Sequence, residues 1–493
     1  MYVARLAVLT RVAAFVLISL SPLIGWVAFG PVEPYGRPYR QLPNLAALIE
    51  GQPGTFATLG DAALERSVVT RMAISLKNTV NYKLRQVDTD TVISGHGKWL
   101  FYKGDFWDGK CLDAATLSRL LAQVDAFADM GKVAGLEVIV AVSPDKSWIY
   151  PENLPSYFRR YWSCKTKSSA LWRRLAKTQV PSLVDHGVPL LTAKNKGDTA
   201  RLFFYTDSHW TPYGAALGFR QLLKVAFPSA PVDAAPLHVR GIDYRNTDMG
   251  NRMLLLRGLE PYRQIYDGVA NAVRDEARTV VVLDSFYALL LDQISHVFRN
   301  SVVIPNNRED LFAKSLVSAD RLIIATVERS FFIHLSSIAF RPTGSLVQSI
   351  LARNTEAAKG CTNFAKAFPT GIVSNEATSP PSASSSIAPE KHTSEIIHVA
   401  DTPPGASSCL RLNLKDWRSG PVEVFLPRKM KGGMFEPGRS AVYQPTASGA
   451  VALVLPDNVQ GRYIKIEVDG NAGISSIELG ERTRLVRPAP IGP

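Results

Sequence analysis

Asp207 and His209 stand two residues apart in Tyr205-Thr206-Asp207-Ser208-His209-Trp210-Thr211-Pro212-Tyr213-Gly214, the densest cluster of chemically able side chains in the chain. A carboxylate beside an imidazole fixes the ring's tautomer and makes it a general base for a nucleophile. A helix-leading turn with a structural histidine contains the same pair. Ser285 is what lifts the pair above that plain reading. Residues 279–283 form a continuous apolar strand, Asp284-Ser285 is polar, and a helical pattern follows from Phe286 to Phe298. A serine at such a junction projects from the carboxyl end of a sheet, beside helix-start N–H groups able to stabilise an oxyanion. Asp284 or Ser285 capping the helix is the plain alternative. Together the three residues predict a nucleophilic hydrolase or transferase: Ser285 as nucleophile, His209 as base, Asp207 as the group that holds His209.

The elements that must position these residues follow from periodicity. Thr211 is an N-cap type and Pro212 suits a first helical turn, so a helix is expected from Pro212 through about residue 227, with Asp207 and His209 in the loop feeding it. Upstream, residues 62–85 show helical spacing. Residues 91–93 and 99–102 flank Gly95-His96-Gly97-Lys98 as strand, turn, strand. Residues 112–132 and 170–186 read as helices, and 136–142, 279–283 and 321–327 as buried strands. Apolar strands alternating with helices indicate an α/β fold with a parallel sheet.

The chain has 493 residues and a formal net charge of +13, with 46% apolar and 20% charged residues. That composition is globular and excludes a wholly disordered or collagen-like chain. The basic excess favours anionic surroundings without choosing among them. Arg5 and Arg11 precede an apolar run over residues 12–29, about the length that crosses a bilayer, with the arginines on the cytoplasmic side. An uncleaved inner-membrane anchor within residues 1–35 is expected; a cleaved signal peptide and a buried helix are the alternatives. Either of the first two places the bulk of the protein outside the cytoplasm. There, Cys111, Cys164, Cys361 and Cys409 read as disulfides, with Cys111–Cys164 and Cys361–Cys409 the favoured pairing of three, against four buried thiols. No H-x-x-x-H, paired C-x-x-C or phosphate-binding G-x-x-x-x-G-K-[ST] motif occurs, so neither metal nor cofactor is expected. Basic residues are scattered, which disfavours nucleic acid as a partner.

Residues 373–394 are rich in Ser, Pro, Ala and Thr and read as a linker. Short alternating strands then fill residues 395–486, predicting a β-sandwich. The expected organisation is therefore an anchor at 1–35, an α/β domain at 40–372, the linker, and the sandwich. Trp99 and Phe101 are expected in the core rather than on a sugar. Asp145-Lys146 reads as cleft or surface pair, and Glu328-Arg329 as an internal ion pair. Of Trp417, Tyr443 and Tyr463, two are expected to be core. Arg428, Lys429 and Lys431 read as a loop that either attracts an anionic glycan or is simply solvated.

The blocks around Asp207-Ser208-His209-Trp210-Thr211-Pro212-Tyr213-Gly214-Ala215 and Asp284-Ser285-Phe286 resemble the alginate O-acetyltransferase family of periplasmic SGNH-hydrolase-like proteins. Gly97-Lys98-Trp99-Leu100-Phe101-Tyr102, residues 143–155 from Ser143-Pro144-Asp145-Lys146 to Leu154-Pro155, and more weakly Val327-Glu328-Arg329 agree with it. Leu283 stands where family members usually carry glycine. The resemblance implies an SGNH-like α/β/α sandwich joined to a carbohydrate-binding-like β-sandwich. It also implies transfer of acetyl groups to an exopolysaccharide or cell-envelope glycan through acetyl-Ser285. The oxyanion side-chain donor is unassigned by it; Asn306, Asn307 and Arg308, which follow the next apolar strand, are the candidates the sequence offers. A multipass membrane acyltransferase is the expected partner and acetyl supplier, and the periplasmic side of the inner membrane the expected location. Water as acceptor would make the protein a carbohydrate acetylesterase, and loss of the acetyl chemistry a polysaccharide-binding or assembly subunit.

Overall fold

In the computed structural model, residues 40–483 are described apart from several stretches, the longer being 332–344, 368–391, 400–405, 417–421 and 428–434, together with scattered positions before residue 40. The expected membrane anchor falls on residues that are mostly outside this set. Among the described residues no helix is long and apolar enough to cross a membrane. After α1 (Leu45–Ile49), the helical spacing of residues 62–85 is divided between the end of α2 (Thr55–Arg66) and α3 (Val68–Lys83). The break comes at Ser67, which is extended (ψ 128°) and caps α3 through its side chain on Thr70 N. The hairpin is present as β1 (Val92–Ser94) against β2 (Leu100–Tyr102).

The centre of the molecule is a five-stranded parallel sheet. Its strands are β3 (Glu137–Ser143), β4 (Leu183–Asp185), β7 (Thr279–Leu283), β8 (Ser301–Pro305) and β9 (Arg321–Val327), in the spatial order β4-β3-β9-β7-β8. Between β4 and β7 the chain makes an antiparallel hairpin, β5 (Leu237–Arg245) with β6 (Glu260–Asp267). Alternation along the strands builds two cores, one on each face, as a parallel sheet requires. Val138, Val140 and Val142 face the core completed by helices α4 (Ala114–Val133), α5 (Arg159–Gln179) and α7 (Ser345–Ala358). Ile139 and Ala141 face the other, completed by α6 (Pro212–Ala226) and the β1–β2 hairpin. The helix expected over 170–186 instead starts at Arg159 and ends at Gln179, and Leu183–Asp185 is strand. That segment bonds to β3 and gains more from sheet pairing than from one further helical turn.

The C-terminal region is a sandwich of two four-stranded antiparallel sheets. One contains β10 (Thr362–Lys366), β12 (Ala406–Lys415), β15 (Ala450–Val454) and β17 (Gly473–Thr483). The other contains β11 (His392–Val399), β13 (Val422–Pro427), β14 (Phe435–Tyr443) and β16 (Arg462–Asp469). Ile464, Ile466 and Val468 are buried while Tyr463, Lys465 and Glu467 are half-buried on the opposite face, the period of two that predicted strand. The sandwich begins at Thr362, so residues 373–391, themselves outside the described set, connect two of its strands rather than two domains. A disulfide joins Cys361, just before β10, to Cys409 in β12. The other expected pairing, Cys111 with Cys164, lies outside the described residues, as do the side chains of Trp417, Arg428, Lys429 and Lys431. Tyr443 is buried in the core, as one of the two expected there, and Tyr463 packs against His398.

Candidate active site

The carboxyl ends of β3, β7 and β9 deliver three short polar segments to one edge of the sheet. At the end of β7, Asp284 accepts hydrogen bonds from Phe286 N (2.9 Å), Val327 N (2.7 Å) and Thr326 Oγ1 (3.1 Å). Asp284 is therefore the cap, and Ser285, the first residue of the following helical turn, is left exposed. From the other side, Thr211 caps α6 by accepting from Gly214 N, with Pro212 in the first turn, and the preceding loop turns back over the sheet edge. That loop brings His209 Nε2 to 3.0 Å from Ser285 Oγ, and Asp207 Oδ1 to 2.6 Å from His209 Nδ1. The three residues predicted from sequence thus form one continuous hydrogen-bonded chain.

The loop is locked from four directions. Trp210, fully buried, donates its indole N–H to Phe286 O (2.7 Å) and so ties the histidine segment to the serine segment. Gly218 of α6 makes room for that indole, since a Cβ there would lie 2.8 Å from Trp210 Cζ3. Lys146, also fully buried, donates to the carbonyls of Phe204 (3.0 Å), Tyr205 (3.0 Å) and Asp207 (2.8 Å). The third lock is Glu260, which accepts from Tyr205 N (2.6 Å), Thr206 N (2.8 Å) and Thr206 Oγ1 (2.7 Å). The fourth is Asp248, in the excursion between β5 and β6: it accepts from Ser208 N (2.8 Å) and Ser208 Oγ, and its own N–H donates to Asp207 Oδ2 (3.0 Å). Asp248 Oδ2 also lies 3.5 Å from His209 Nδ1. The sequence shows Trp210 but not the bond it makes, and gives no sign of Asp248 and Glu260. The last two sit 39 and more residues past His209, in a polar hairpin with no periodic signal.

The electrostatics assign the charge. Burial alone would raise Asp207, but its hydrogen bonds and proximity to His209 outweigh that and hold it well below the usual carboxylate range, with Arg245 (Nη2 at 3.8 Å) adding a little. Burial and the neighbouring Asp207 charge push Asp248 the other way, up. Of the two carboxylates, Asp207, the residue facing His209, is the one its surroundings favour in the ionised form. For Lys146 burial lowers the ammonium to about 8, partly offset by the carboxylates of Glu260, Asp248 and Asp207. One ligand atom each of Asp207, His209 and Asp248 lie within 4.8 Å of one another, close enough to share a metal ion. Those atoms are already engaged with one another and with Ser208.

Other sequence candidates separate. Asp145 and Lys146 form no surface pair: Asp145 is buried and accepts from Arg329 Nη1 (3.0 Å), which also reaches Asp105 (3.0 Å). Glu328 and Arg329 do not pair either. Glu328 accepts instead from Trp172 Nε1 (2.9 Å) and Arg173 Nη2 (2.9 Å), while Arg329, next in the short helical turn Glu328–Ser330, turns to Asp105 and Asp145. Trp99 and Phe101 are core, under Lys146. Asn306 follows β8 with its N–H on Leu283 O (2.9 Å); Arg308 is exposed, and Asn307 lies outside the described residues.

Residues 92–241 match the family model described as SGNH hydrolase-like domain, acetyltransferase AlgX. The resemblance read from the sequence holds. The match contains Asp207, His209 and Lys146 and ends before Asp248, Glu260 and Ser285. Among curated relatives, the chain is 26% identical over 178 residues to a probable alginate O-acetylase AlgJ of Pseudomonas fluorescens, covering 35% of this chain and 42% of that protein. It is 25% identical over 175 residues to the protein of the same description from Pseudomonas syringae pv. tomato, covering 34% and 41%. The chain thus spans about two fifths of the length of the curated relatives it matches. Among solved structures, it aligns with the O-acetyltransferase domain of Pseudomonas putida AlgJ at 18% identity and TM-score 0.37, covering 53% of this chain and 99% of that one. Pseudomonas aeruginosa AlgX aligns at 11% identity and TM-score 0.36, covering 80% and 95%.

Proposed function

We propose that this protein is an O-acetyltransferase that moves acetyl groups to hydroxyls of an exopolysaccharide or cell-envelope glycan through an acetyl-serine intermediate. The observation that carries the reading is the 3.0 Å contact from His209 Nε2 to the exposed Ser285 Oγ, with Asp207 at 2.6 Å behind the ring. In the first half-reaction Ser285 Oγ attacks the carbonyl carbon of an acetyl ester and its proton passes to His209 Nε2. The tetrahedral oxyanion is met by the Ser285 N–H, one of the helix-start donors that have no carbonyl within the helix. The donor's alkoxide leaves with the proton from His209. In the second half-reaction His209 takes the proton of a sugar hydroxyl, whose oxygen attacks the acetyl carbon; the bond to Ser285 Oγ then breaks and His209 returns the proton to the leaving serine oxygen. Asp207, kept ionised, stabilises the imidazolium in both.

The resemblance to alginate O-acetylases supports a polysaccharide acceptor, a periplasmic location and an acetyl supply from a multipass membrane acyltransferase. The apolar run at residues 12–29 would hold the protein at the inner membrane, and the C-terminal sandwich would bind the glycan. Exposure of Ser285 to solvent supports one second reading, a carbohydrate acetylesterase. Incubation with a chromogenic acetyl ester and oligosaccharides separates the two: acetylated sugar is expected from the transferase, whereas free acetate alone, at a rate no oligosaccharide changes, would overturn the proposal in favour of the esterase.

A further inference from the structure

Helix α3 is folded inside out. None of its residues is buried. Its polar side chains point inward: Ser75 Oγ donates to Leu255 O (2.6 Å), Asn78 Nδ2 to Leu254 O (2.9 Å) and Tyr82 Oη to Lys98 O (2.9 Å). The apolar side chains Val69, Met72, Leu76 and Val80, with Leu84 at the C-cap, follow helical spacing and are 39–67% exposed, Met72 and Leu76 also bordering the cleft between α3 and residues 256–261. The inversion extends upstream, where Leu45, Ile49 and Phe56 are 67–79% exposed. An apolar stripe of this length facing water marks a surface that something else covers.

Two further observations say what covers it. From residue 66 to residue 85 the chain carries Arg66, Arg71, Lys77, Lys83 and Arg85 and no acidic residue, so the α3 stripe is edged by positive charge, while upstream Asp61 and Glu65 of α2 are paired with Arg40. Such a face repels a second copy of itself and suits an anionic surface. The exposed apolar residues also continue toward the N-terminus at Val12, Val16, Leu20, Ile24 and Val27. An apolar face edged by Lys and Arg is what a helix lying in a lipid interface presents. We propose that α3, with the exposed apolar residues of α1 and α2, docks this protein on the surface of an anionic phospholipid bilayer. The inward side of α3 grips Leu254 and Leu255, in the same excursion whose Asp248 holds the His209 loop. The proposal goes beyond acetyl transfer and does not depend on it.

The test places the photocrosslinking residue benzoylphenylalanine at Leu76 of the full chain, and in a separate protein at Val302, half-exposed on the sheet-edge strand β8. Each is illuminated with vesicles of phosphatidylcholine alone or with phosphatidylglycerol, and adducts are read by mass spectrometry. The expected result is a lipid adduct at Leu76, several-fold more abundant with phosphatidylglycerol and reduced by salt, with none at Val302. Overturning results are vesicle-bound protein without a lipid adduct at Leu76, equal labelling at both positions, or crosslinks from Leu76 to residues 1–39 or to a second copy. Labelling that is indifferent to phosphatidylglycerol would overturn the anionic requirement.

Discussion

Asp207 meets His209 because the residue between them is spoken for: Ser208 gives both its N–H and its hydroxyl to Asp248, which turns the flanking side chains toward each other. Asp248 is thus a positioning residue. Asp248→Ala is expected to lower kcat roughly 10- to 100-fold with little change in KM, the cost of a base displaced by about an ångström. Asp248→Asn, which can still accept from Ser208 N, should recover most of the loss; equal kinetics for both variants and the parent would contradict the role. Lys146 makes a prediction in pH. Its native ammonium titrates near 8, below the ordinary lysine value of about 10.4, so between those values the native state has released a proton that the unfolded chain still holds. Parent stability relative to Lys146→Met should therefore be flat below about pH 8 and rise by up to roughly 3 kcal/mol toward pH 10. Urea unfolding across that range checks the sign, and a falling difference would contradict it.

At the scale of elements, the strands and the loop between Asp207 and Thr211 were legible, and the clamp around the loop was not. Residues 279–283 and 321–327 read as strand because both their faces are covered, which leaves an unbroken apolar run. Ser285 was legible for the same reason, as the first polar choice after such a run apart from its cap. Leu183–Asp185 was hidden because three residues carry no period. The β5–β6 hairpin was hidden because β5 is largely solvent-exposed and shows no alternation, although its excursion supplies Asp248. Trp210 was visible as a residue but not as a tie, since its partner Phe286 O is 76 residues away. Trp210→Phe leaves that buried carbonyl without its donor, and should cost about 1–3 kcal/mol of stability together with part of kcat. Thermal unfolding and steady-state kinetics on the same preparation check this. Lost stability with unchanged kcat would mean that the indole bond holds the core and not the catalytic register.

The molecule as a whole is more continuous than its composition suggests. The Ser/Pro-rich stretch pointed to two bodies on a tether, because composition marks where a core stops and says nothing of what packs across the stop. In the structure the sandwich shares a core with the α/β layers. Tyr443 at the end of β14 reaches Met130 of α4 (Oη to Sδ 3.7 Å), and Asn354 of α7 exchanges two hydrogen bonds with the backbone of Val454 in β15 (3.0 and 2.9 Å). Asn354 is fully buried, so Asn354→Ala strands two backbone groups and should lower stability by about 1–3 kcal/mol for each. Unfolding should remain one transition shifted as a unit; two transitions, with only one displaced, would contradict a shared core.

The central claim is that Ser285 is the acetyl carrier and that His209 and Asp207 activate it. Intact-mass spectrometry after brief exposure to a chromogenic acetyl ester, comparing the parent with Ser285→Ala and His209→Ala, tests it most directly. One acetyl increment is expected on the parent, mapped to Ser285 by peptide analysis and discharged on adding an oligosaccharide, and no increment on either folded variant. An increment of equal size on Ser285→Ala, or none on a parent that still turns over the ester, would contradict it.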